Sequence, residues 1–311
     1  MSFSQRASAL GAASFALVLL LTGFGASSAK VPPGRIVFSR SNGGGIGGNI
    51  YAVSADGSNL RQLTSDSADQ EPTWSPDGKS IVYVHVTTPS ERDKLPYRSA
   101  LYEMQPNGTN PRLLVPESNS ATASISNPVW SPDGREIAFS SQRSGELAIW
   151  TYNLSNGTST QLTTGFADHA SWSPGSQQLA YGGLNGTIIV SDADGTNART
   201  VSPAQAYDEA PVWSPNGKWI AARNLNPDWR SHEVDSLVIM RPDGTGSRVL
   251  VSGGVIFPVA WSPRSDAILF FRKATSPPTA TAQLYIVSVA GGAPLRVPGT
   301  TGASGYASWH R

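Results

Sequence analysis

Short runs of apolar and β-branched residues alternate with turn sequences from Arg35 onward, and no segment after that residue keeps a helical period. One complete unit surrounds Trp130, where Ser131-Pro-Asp-Gly134 and Asn156-Gly157 have the composition of tight turns. Between these turns the pattern predicts four strands: Asn127–Ser131, Arg135–Ser141, Leu147–Tyr152 and Thr160–Thr163. The chain is therefore predicted to be all-β.

The unit repeats along the chain. Its marker is a Trp followed by Ser-Pro, with a final Trp near the end of the chain, and we call these residues the anchor tryptophans: Trp74, Trp130, Trp172, Trp213, Trp261 and Trp309. Their spacings of 56, 42, 41, 48 and 48 residues match the roughly 40–50 residues of a four-stranded propeller blade. The repeat predicts a six-bladed β-propeller in which each anchor tryptophan wedges between neighbouring blades.

The two ends of the repeat region are complementary. Arg35–Ser39 reads as a second strand without its tryptophan strand, whereas Tyr306–Trp309 reads as a tryptophan strand with nothing after it. Together the two fragments make one blade. We therefore expect the C-terminal strand to complete the N-terminal blade and close the ring, which removes exposed sheet edges.

The motif Pro-x-Trp-Ser-Pro-Asp-Gly, present as Pro72–Gly78 and Pro128–Gly134, resembles the β-propeller repeat of the TolB family and related WD-type propellers. The resemblance covers about Arg35 to Arg311 and implies the propeller fold and its general habit of binding partners. TolB proteins also carry an α/β domain before the propeller, as part of the Tol–Pal system of the cell envelope. Only about five residues separate the expected signal from the first strand, so that domain is not expected here.

The N-terminal segment has the pattern of a secretory signal. Arg6 precedes an uncharged and mostly apolar stretch, Ala7–Ala26, and Ser27–Ala29 supplies small residues for cleavage. We predict a signal peptide over residues 1–29 and a propeller over residues 30–311, with the protein exported to the periplasm or the extracellular space. The alternative is an uncleaved membrane anchor, which would be the protein's only contact with a membrane.

Composition narrows the choice of partner. Without the signal, 22 basic residues balance 22 acidic ones, which disfavours nucleic acid and anionic membranes. The chain has no Cys, so disulfides, thiolate metal sites and cysteine nucleophiles are excluded. The expected partner is a protein or peptide of the cell envelope, bound by a monomer.

Strand order predicts which face of the propeller binds. The Ser-Pro-Asp-Gly turns and Asp-Gly hairpins fall on one face, and the long, dissimilar loops fall on the other: Ser41–Gly48, Thr87–Arg98, Asn224–Asp235 and Lys273–Thr281. Variable loops on a rigid scaffold are where binding residues tend to lie. Their candidate anchors are Tyr97, Arg98, Trp229 and Arg230, which are either partner contacts or local packing. A glycan module that stacks sugars on Trp229 or Tyr97 is a further hypothesis.

The residues that enter the innermost strands are expected to ring the channel mouth on the same face. They are Asp69, Glu71, Asn127, Asp168, His169, Asp208, Glu209, Phe257 and Tyr306. Five carboxylates would converge on the channel, and oxygen-rich sites suit Ca²⁺. A calcium ion at Asp168, Asp208 and Glu71 is therefore a hypothesis. The alternative is that these carboxylates are solvated or contact the backbone amides of their own blades. No other cofactor is predicted.

Catalytic motifs are weak. Gly43–Gly48 lies between predicted strands and reads as a loop, while Gly-x-Ser-x-Gly and His-Glu-x-x-His are missing. His169 is the one histidine expected at the mouth, and Asp168 beside it should point to the opposite side of the strand. The first hypothesis is a non-catalytic binding module. The alternative is a hydrolase or lyase on a small polar or carbohydrate substrate, using His169 and nearby carboxylates.

Overall fold

The computed structural model describes residues 31–41, 47–87, 98–117, 124–202, 208–225, 235–274 and 281–311. The chain divides into two units, Met1–Lys30 and Val31–Arg311, and every described residue belongs to the second. The predicted signal peptide therefore lies outside the described residues. Within the described ranges, no helix is long and apolar enough to cross a membrane.

In the described ranges, twenty-four strands form six antiparallel sheets of four strands, which confirms the predicted fold. Blade 1 contains β1 (Arg35–Arg40), β2 (Asn49–Ser54) and β3 (Arg61–Gln62). Blade 2 contains β4 (Asp69–Trp74), β5 (Ile81–Val86), β6 (Ser99–Met104) and β7 (Arg112–Val115). Blade 3 contains β8 (Ile125–Trp130), β9 (Glu136–Ser141), β10 (Ala148–Asn153) and β11 (Thr158–Gln161).

The second half of the ring repeats this arrangement. Blade 4 contains β12 (Asp168–Trp172), β13 (Gln178–Gly183), β14 (Thr187–Asp192) and β15 (Arg199–Thr200). Blade 5 contains β16 (Asp208–Trp213), β17 (Ile220–Asn224), β18 (Ser236–Met240) and β19 (Arg248–Ser252). Blade 6 contains β20 (Val255–Trp261), β21 (Ala267–Lys273), β22 (Gln283–Ser288) and β23 (Leu295–Arg296).

The last strand, β24 (Ala303–His310), closes the ring. It is the innermost strand of blade 1, in the order β24-β1-β2-β3. β24 runs antiparallel to β1, with Trp309 opposite Ile36 and Ala307 opposite Phe38. The predicted closure is confirmed, and blade 1 is built from the two ends of the described chain.

The core lies between the blades. Trp74 of blade 2 packs in one cluster with Val37 and Ile50 of blade 1, and Trp213 of blade 5 packs with Ile188 and Val190 of blade 4. Each of the other anchor tryptophans likewise joins a cluster shared by two blades. Burying such a ring contributes about 4–6 kcal/mol gross, as an upper bound for an extended unfolded chain. The predicted wedging is confirmed.

The turns after the anchor tryptophans form one uniform face, which we call the underside. Ser131 Oγ donates to Asp133 Oδ1 at 2.7 Å, and Gly134 N donates to Ser131 O at 2.9 Å. Ser75, Asp77 and Gly78 make the same two bonds in blade 2. The Asp residues of these turns therefore serve turn geometry, as their sequence predicts.

Candidate functional site

The six innermost strands surround a central channel with a volume of about 580 Å³. Its wall runs from the level of Glu71, Asn127 and His169, at the end we call the mouth, to the underside, where the prolines of the turns and His310 lie. Pro72, Pro128 and Pro211 lie on innermost strands and line the wall, where no further strand needs their missing N–H groups.

A β-bulge near the start of each innermost strand shapes the mouth. In β4, β8, β12 and β16 the register shifts around the third residue before the anchor tryptophan, and that residue takes a positive φ: Glu71 (55°), Asn127 (53°), His169 (54°) and Ala210 (50°). This left-handed conformation is strained for an L-residue. Bulges change the direction of side chains and occur often next to functional sites. All four residues line the channel.

The mouth has two chemically different halves. Blades 2, 3 and 4 contribute Glu71, Asn127 and His169, which we call the polar arc. Blades 5, 6 and 1 contribute the apolar arc, and its members are Ala210, Phe257, Pro258 and Tyr306. The channel therefore offers hydrogen-bonding groups on one side and apolar surface on the other, which is the usual character of a ligand pocket.

Hydrogen bonds join the polar arc across three blades. Asn127 N donates to Glu71 Oε2 at 2.5 Å, and Asn127 Nδ2 donates to Asp168 Oδ1 at 2.9 Å. Asp168 in turn pairs with His169, with 3.0 Å between Asp168 Oδ2 and His169 Nδ1. Gln70 Nε2 completes the chain by donating to Glu71 Oε1 at 3.2 Å. Asn127 thus couples blade 2 to blade 4.

The Asp168–His169 pair corrects an expectation from the sequence. Neighbouring strand residues were expected to point to opposite sides, but the bulge at His169 breaks that alternation and turns its ring back to the carboxylate. Burial would raise the pKa of Asp168, yet the His169 charge and hydrogen bonds outweigh it and hold that pKa at about 2. Burial would lower the pKa of His169, but Asp168 raises it above its usual value.

Glu71 has the opposite electrostatic character. Its side chain is buried, and this burial raises the pKa of the carboxyl group to about 7, although the backbone N–H of Asn127 and the charge of His169 both favour the ionised form. The polar arc therefore holds an imidazole that favours its protonated form and a carboxyl group that titrates near neutrality. Such groups in a cleft mark a candidate functional site.

Of the five carboxylates expected at the channel mouth, Glu71 is the one in the described lining. Of the predicted mouth residues, Glu71, Asn127, His169 and Tyr306 line the channel, as does Phe257. The other four lie outside the described lining: Asp69, Asp168, Asp208 and Glu209. The reason is the bulge, which aims the third residue before the anchor tryptophan inward, whereas residues at the strand start pair with neighbouring strands and loops.

These four carboxylates have partners that we did not predict. Asp69 Oδ1 is hydrogen-bonded to His85 Nδ1 at 2.8 Å, and Asp208 Oδ1 accepts a hydrogen bond from Asn224 Nδ2 at 2.9 Å. Glu209 pairs with Arg223 at 2.7 Å, and Arg223 also binds Asp235. The bulge creates these pairs, because it shifts the register by one residue and places Asp69 opposite His85 and Asp208 opposite Asn224. The register that follows from the turns alone gave no signal for them.

The side chains that lie close enough together to bind a cation are not the three predicted for calcium. Asp168, Asp208 and Glu71 lie on blades 4, 5 and 2, and within the described residues the one His–carboxylate group close enough to share an ion is Asp66, Asp69 and His85. Burial raises the pKa of Asp208 to about 6 and also raises the pKa of Asp69. The calcium hypothesis for the channel stays a prediction.

The predicted loop anchors lie at the edge of what the structure describes. Arg98 pairs with Glu117 at 3.1 Å between Nε and Oε2, in a half-buried position next to β6. Tyr97, Trp229 and Arg230 lie outside the described residues. Their roles as partner contacts or sugar-stacking rings therefore stay predictions.

The fold and the site together define a class of protein: six-bladed propellers whose central channel has one polar and one apolar side. The sequence matches the family described as PD40, TolB beta propeller domain, over residues 18–181 and 117–311. The chain belongs to this family, which confirms the resemblance drawn from the Trp-Ser-Pro repeats.

Among curated relatives, the Tol-Pal system protein TolB of Anaeromyxobacter dehalogenans is 27% identical over 168 residues, which are 53% of this chain and 37% of that protein. The chain spans 59% or less of the length of the curated relatives reported for it. Two solved structures show the fold alone. TolB from Acinetobacter baumannii has a TM-score of 0.73 at 18% identity, covering 89% of this chain and 66% of that one. An oligogalacturonate lyase in complex with manganese has a TM-score of 0.54 at 16% identity, covering 81% and 70%.

Proposed function

We propose that this propeller is an exported, non-catalytic module that binds a protein or peptide of the cell envelope at the channel mouth. The observation that carries the proposal is the divided channel, with the polar arc on one side and the apolar arc on the other. The relationship to TolB of the Tol-Pal system supports a protein partner and a periplasmic location.

The site is better suited to holding an extended segment than to covering a flat partner. The channel has room for a few side chains, and its wall is rigid because every innermost strand is paired within its blade. A preformed concave site reduces the entropy lost on binding. Recognition needs only the hydrogen-bonding and apolar groups that the two arcs present, so it is the simpler function for these residues.

Site-specific photo-crosslinking in the native envelope tests this proposal. A photoreactive phenylalanine analogue replaces Tyr306 at the mouth, and the matched control carries it at the exposed Arg135 on the underside. We expect a discrete protein adduct from position 306, suppressed by excess unlabelled wild-type protein, and none from position 135. Equal adducts from both positions, or none from position 306, would contradict mouth binding.

A second candidate function is hydrolysis or lysis of a small polar or carbohydrate substrate. Its specific support is the His169–Asp168 pair beside Glu71, whose burial-raised pKa of about 7 suits proton transfer near neutral pH. The oligogalacturonate lyase neighbour shares the fold alone.

Turnover measurements separate the two functions. Polygalacturonate and other acidic oligosaccharides are incubated with wild-type protein and with the His169→Ala variant, and new reducing ends or unsaturated products are followed. Turnover that disappears in His169→Ala would establish the enzyme. Product formation that is identical in both proteins, or absent from both, would leave the binding function.

A further inference from the structure

Glu71 differs from every other group in the described channel wall. It has the one acidic side chain among the lining residues that the structure describes, and the residue is only 5% exposed. Its oxygens accept hydrogen bonds from two neutral donors, Gln70 Nε2 and Asn127 N. Within the described part of the chain, no Lys, Arg or His forms a salt bridge with it.

Two carboxylates outside the described lining, in contrast, have a basic side chain within hydrogen-bonding distance. Asp168 has the His169 ring at 3.0 Å, and Glu209 has the Arg223 guanidinium at 2.7 Å. A buried carboxylate without a cationic partner is costly, and proteins normally avoid it by pairing the charge. The positive φ of Glu71 adds backbone strain to the cost of burying its carboxylate. The fold therefore keeps this group in the channel wall despite two destabilising contributions.

Asn127 adds a second unmatched acceptor to the same arc. Its Nδ2 donates to Asp168 Oδ1, which fixes the orientation of the amide and makes its other atom an acceptor. That oxygen, Oδ1, is buried and receives no hydrogen bond from any described residue. Buried acceptors without donors are rare. The polar arc therefore has an excess of hydrogen-bond acceptors at Glu71 and Asn127, and a ligand that donates hydrogen bonds would balance it.

The geometry favours an organic cation over a metal ion. Ca²⁺ takes six to eight oxygen ligands, whereas Glu71 belongs to no described group of three ligating side chains. One ammonium group needs only one carboxylate and a few acceptors. The rest of the wall consists of Pro72, Pro128, Pro211 and Phe257, which suit an aliphatic stem.

We propose that the partner places one cationic side chain of the lysine type in the channel, with its ammonium group at Glu71 and Asn127 and its stem against the prolines. This inference rests on the proposed peptide-binding function and adds the chemical class of the anchoring residue. The charge of His169 already acts on Glu71, and the ammonium group adds the direct ion pair that Glu71 does not form with any described residue.

Two capped peptides that differ in one group test the inference. Acetyl-Gly-Lys-Gly-amide and acetyl-Gly-norleucine-Gly-amide are titrated with EDTA present, and the shift of the His169 ring protons is followed by NMR. We expect saturable binding of the lysine peptide, with the norleucine peptide at least about tenfold weaker, since hydrogen bonds to charged groups are worth more than that factor.

Variants then assign the charge to Glu71. Glu71→Gln should weaken the lysine peptide at least about tenfold and leave the norleucine peptide unchanged. Glu136→Gln removes a carboxylate outside the described channel lining and should change neither affinity. Equal affinity for the two peptides, an unchanged lysine affinity in Glu71→Gln, or no binding of either peptide at about 10 mM would overturn the inference.

The inference and the proposed function fail in different ways. Adducts at position 306 that persist in Glu71→Gln, together with equal affinity for the two peptides, would refute the cationic anchor and retain the binding function. Selective lysine binding without any adduct from position 306 would retain the cationic site and refute the envelope protein partner.

Discussion

Glu71 combines two residue-level costs, a left-handed backbone and a buried carboxyl group, and the second depends on pH. Its pKa rises from 4.5 to about 7 on folding, so the native state holds the proton more tightly than the unfolded chain. Stability therefore falls as the pH rises from 4.5 through 7, by roughly 3 kcal/mol in total.

The Glu71→Gln variant should escape this loss. We expect it to match the wild type at about pH 4, where Glu71 is protonated in both states, and to be more stable at about pH 8. Urea denaturation at the two pH values measures the difference in the free energy of unfolding. A variant that is less stable at pH 8 would show that the carboxylate has a structural role.

The His169 ring reports on its neighbour. Burial lowers the pKa of His169, and Asp168 makes the largest contribution that raises it, so Asp168→Asn should lower this pKa. NMR titration of the ring protons measures the change. An unchanged pKa in the variant would mean that Asp168 does not control the charge of the ring.

At the scale of elements, the strands and turns were predictable because local chemistry specifies them. Ser-Pro-Asp-Gly sequences fold as turns wherever they occur, and tryptophans at a fixed place in the repeat pack between blades. The mouth was less predictable. A bulge follows from how two strands pair, so the sequence alone did not show that Glu71 and His169 face the channel while Asp208 faces Asn224.

Two turn glycines provide a matched test of the underside. Gly78 and Gly134 have φ values of 67° and 72°, but a Cβ on Gly78 would clash with the His310 ring at Nε2, whereas one on Gly134 would meet nothing within 4 Å. Gly134→Ala should cost about 1 kcal/mol from backbone strain alone, and Gly78→Ala should cost clearly more. Chemical denaturation gives both values, and equal costs would argue against close packing of His310 on this turn.

At the scale of the whole molecule, closure makes β24 part of every blade's stability. Deleting Tyr306–Arg311 removes the buried Trp309 and the pairing with β1, which should cost at least about 3–5 kcal/mol and lower the melting temperature of the entire ring. Deleting Arg311 alone leaves these contacts in place and should have little effect. Calorimetry measures both, and an unchanged melting temperature after the longer deletion would disprove the closure.

The pairing of Arg35 with His310 also determines how the protein can be oriented on a solid support. Both residues lie at the underside, where His310 packs beside Gly78, so the described chain enters and leaves the propeller on the side opposite the mouth. A tag at Arg311 would therefore fix the protein to a sensor chip or bead with its channel facing the solution.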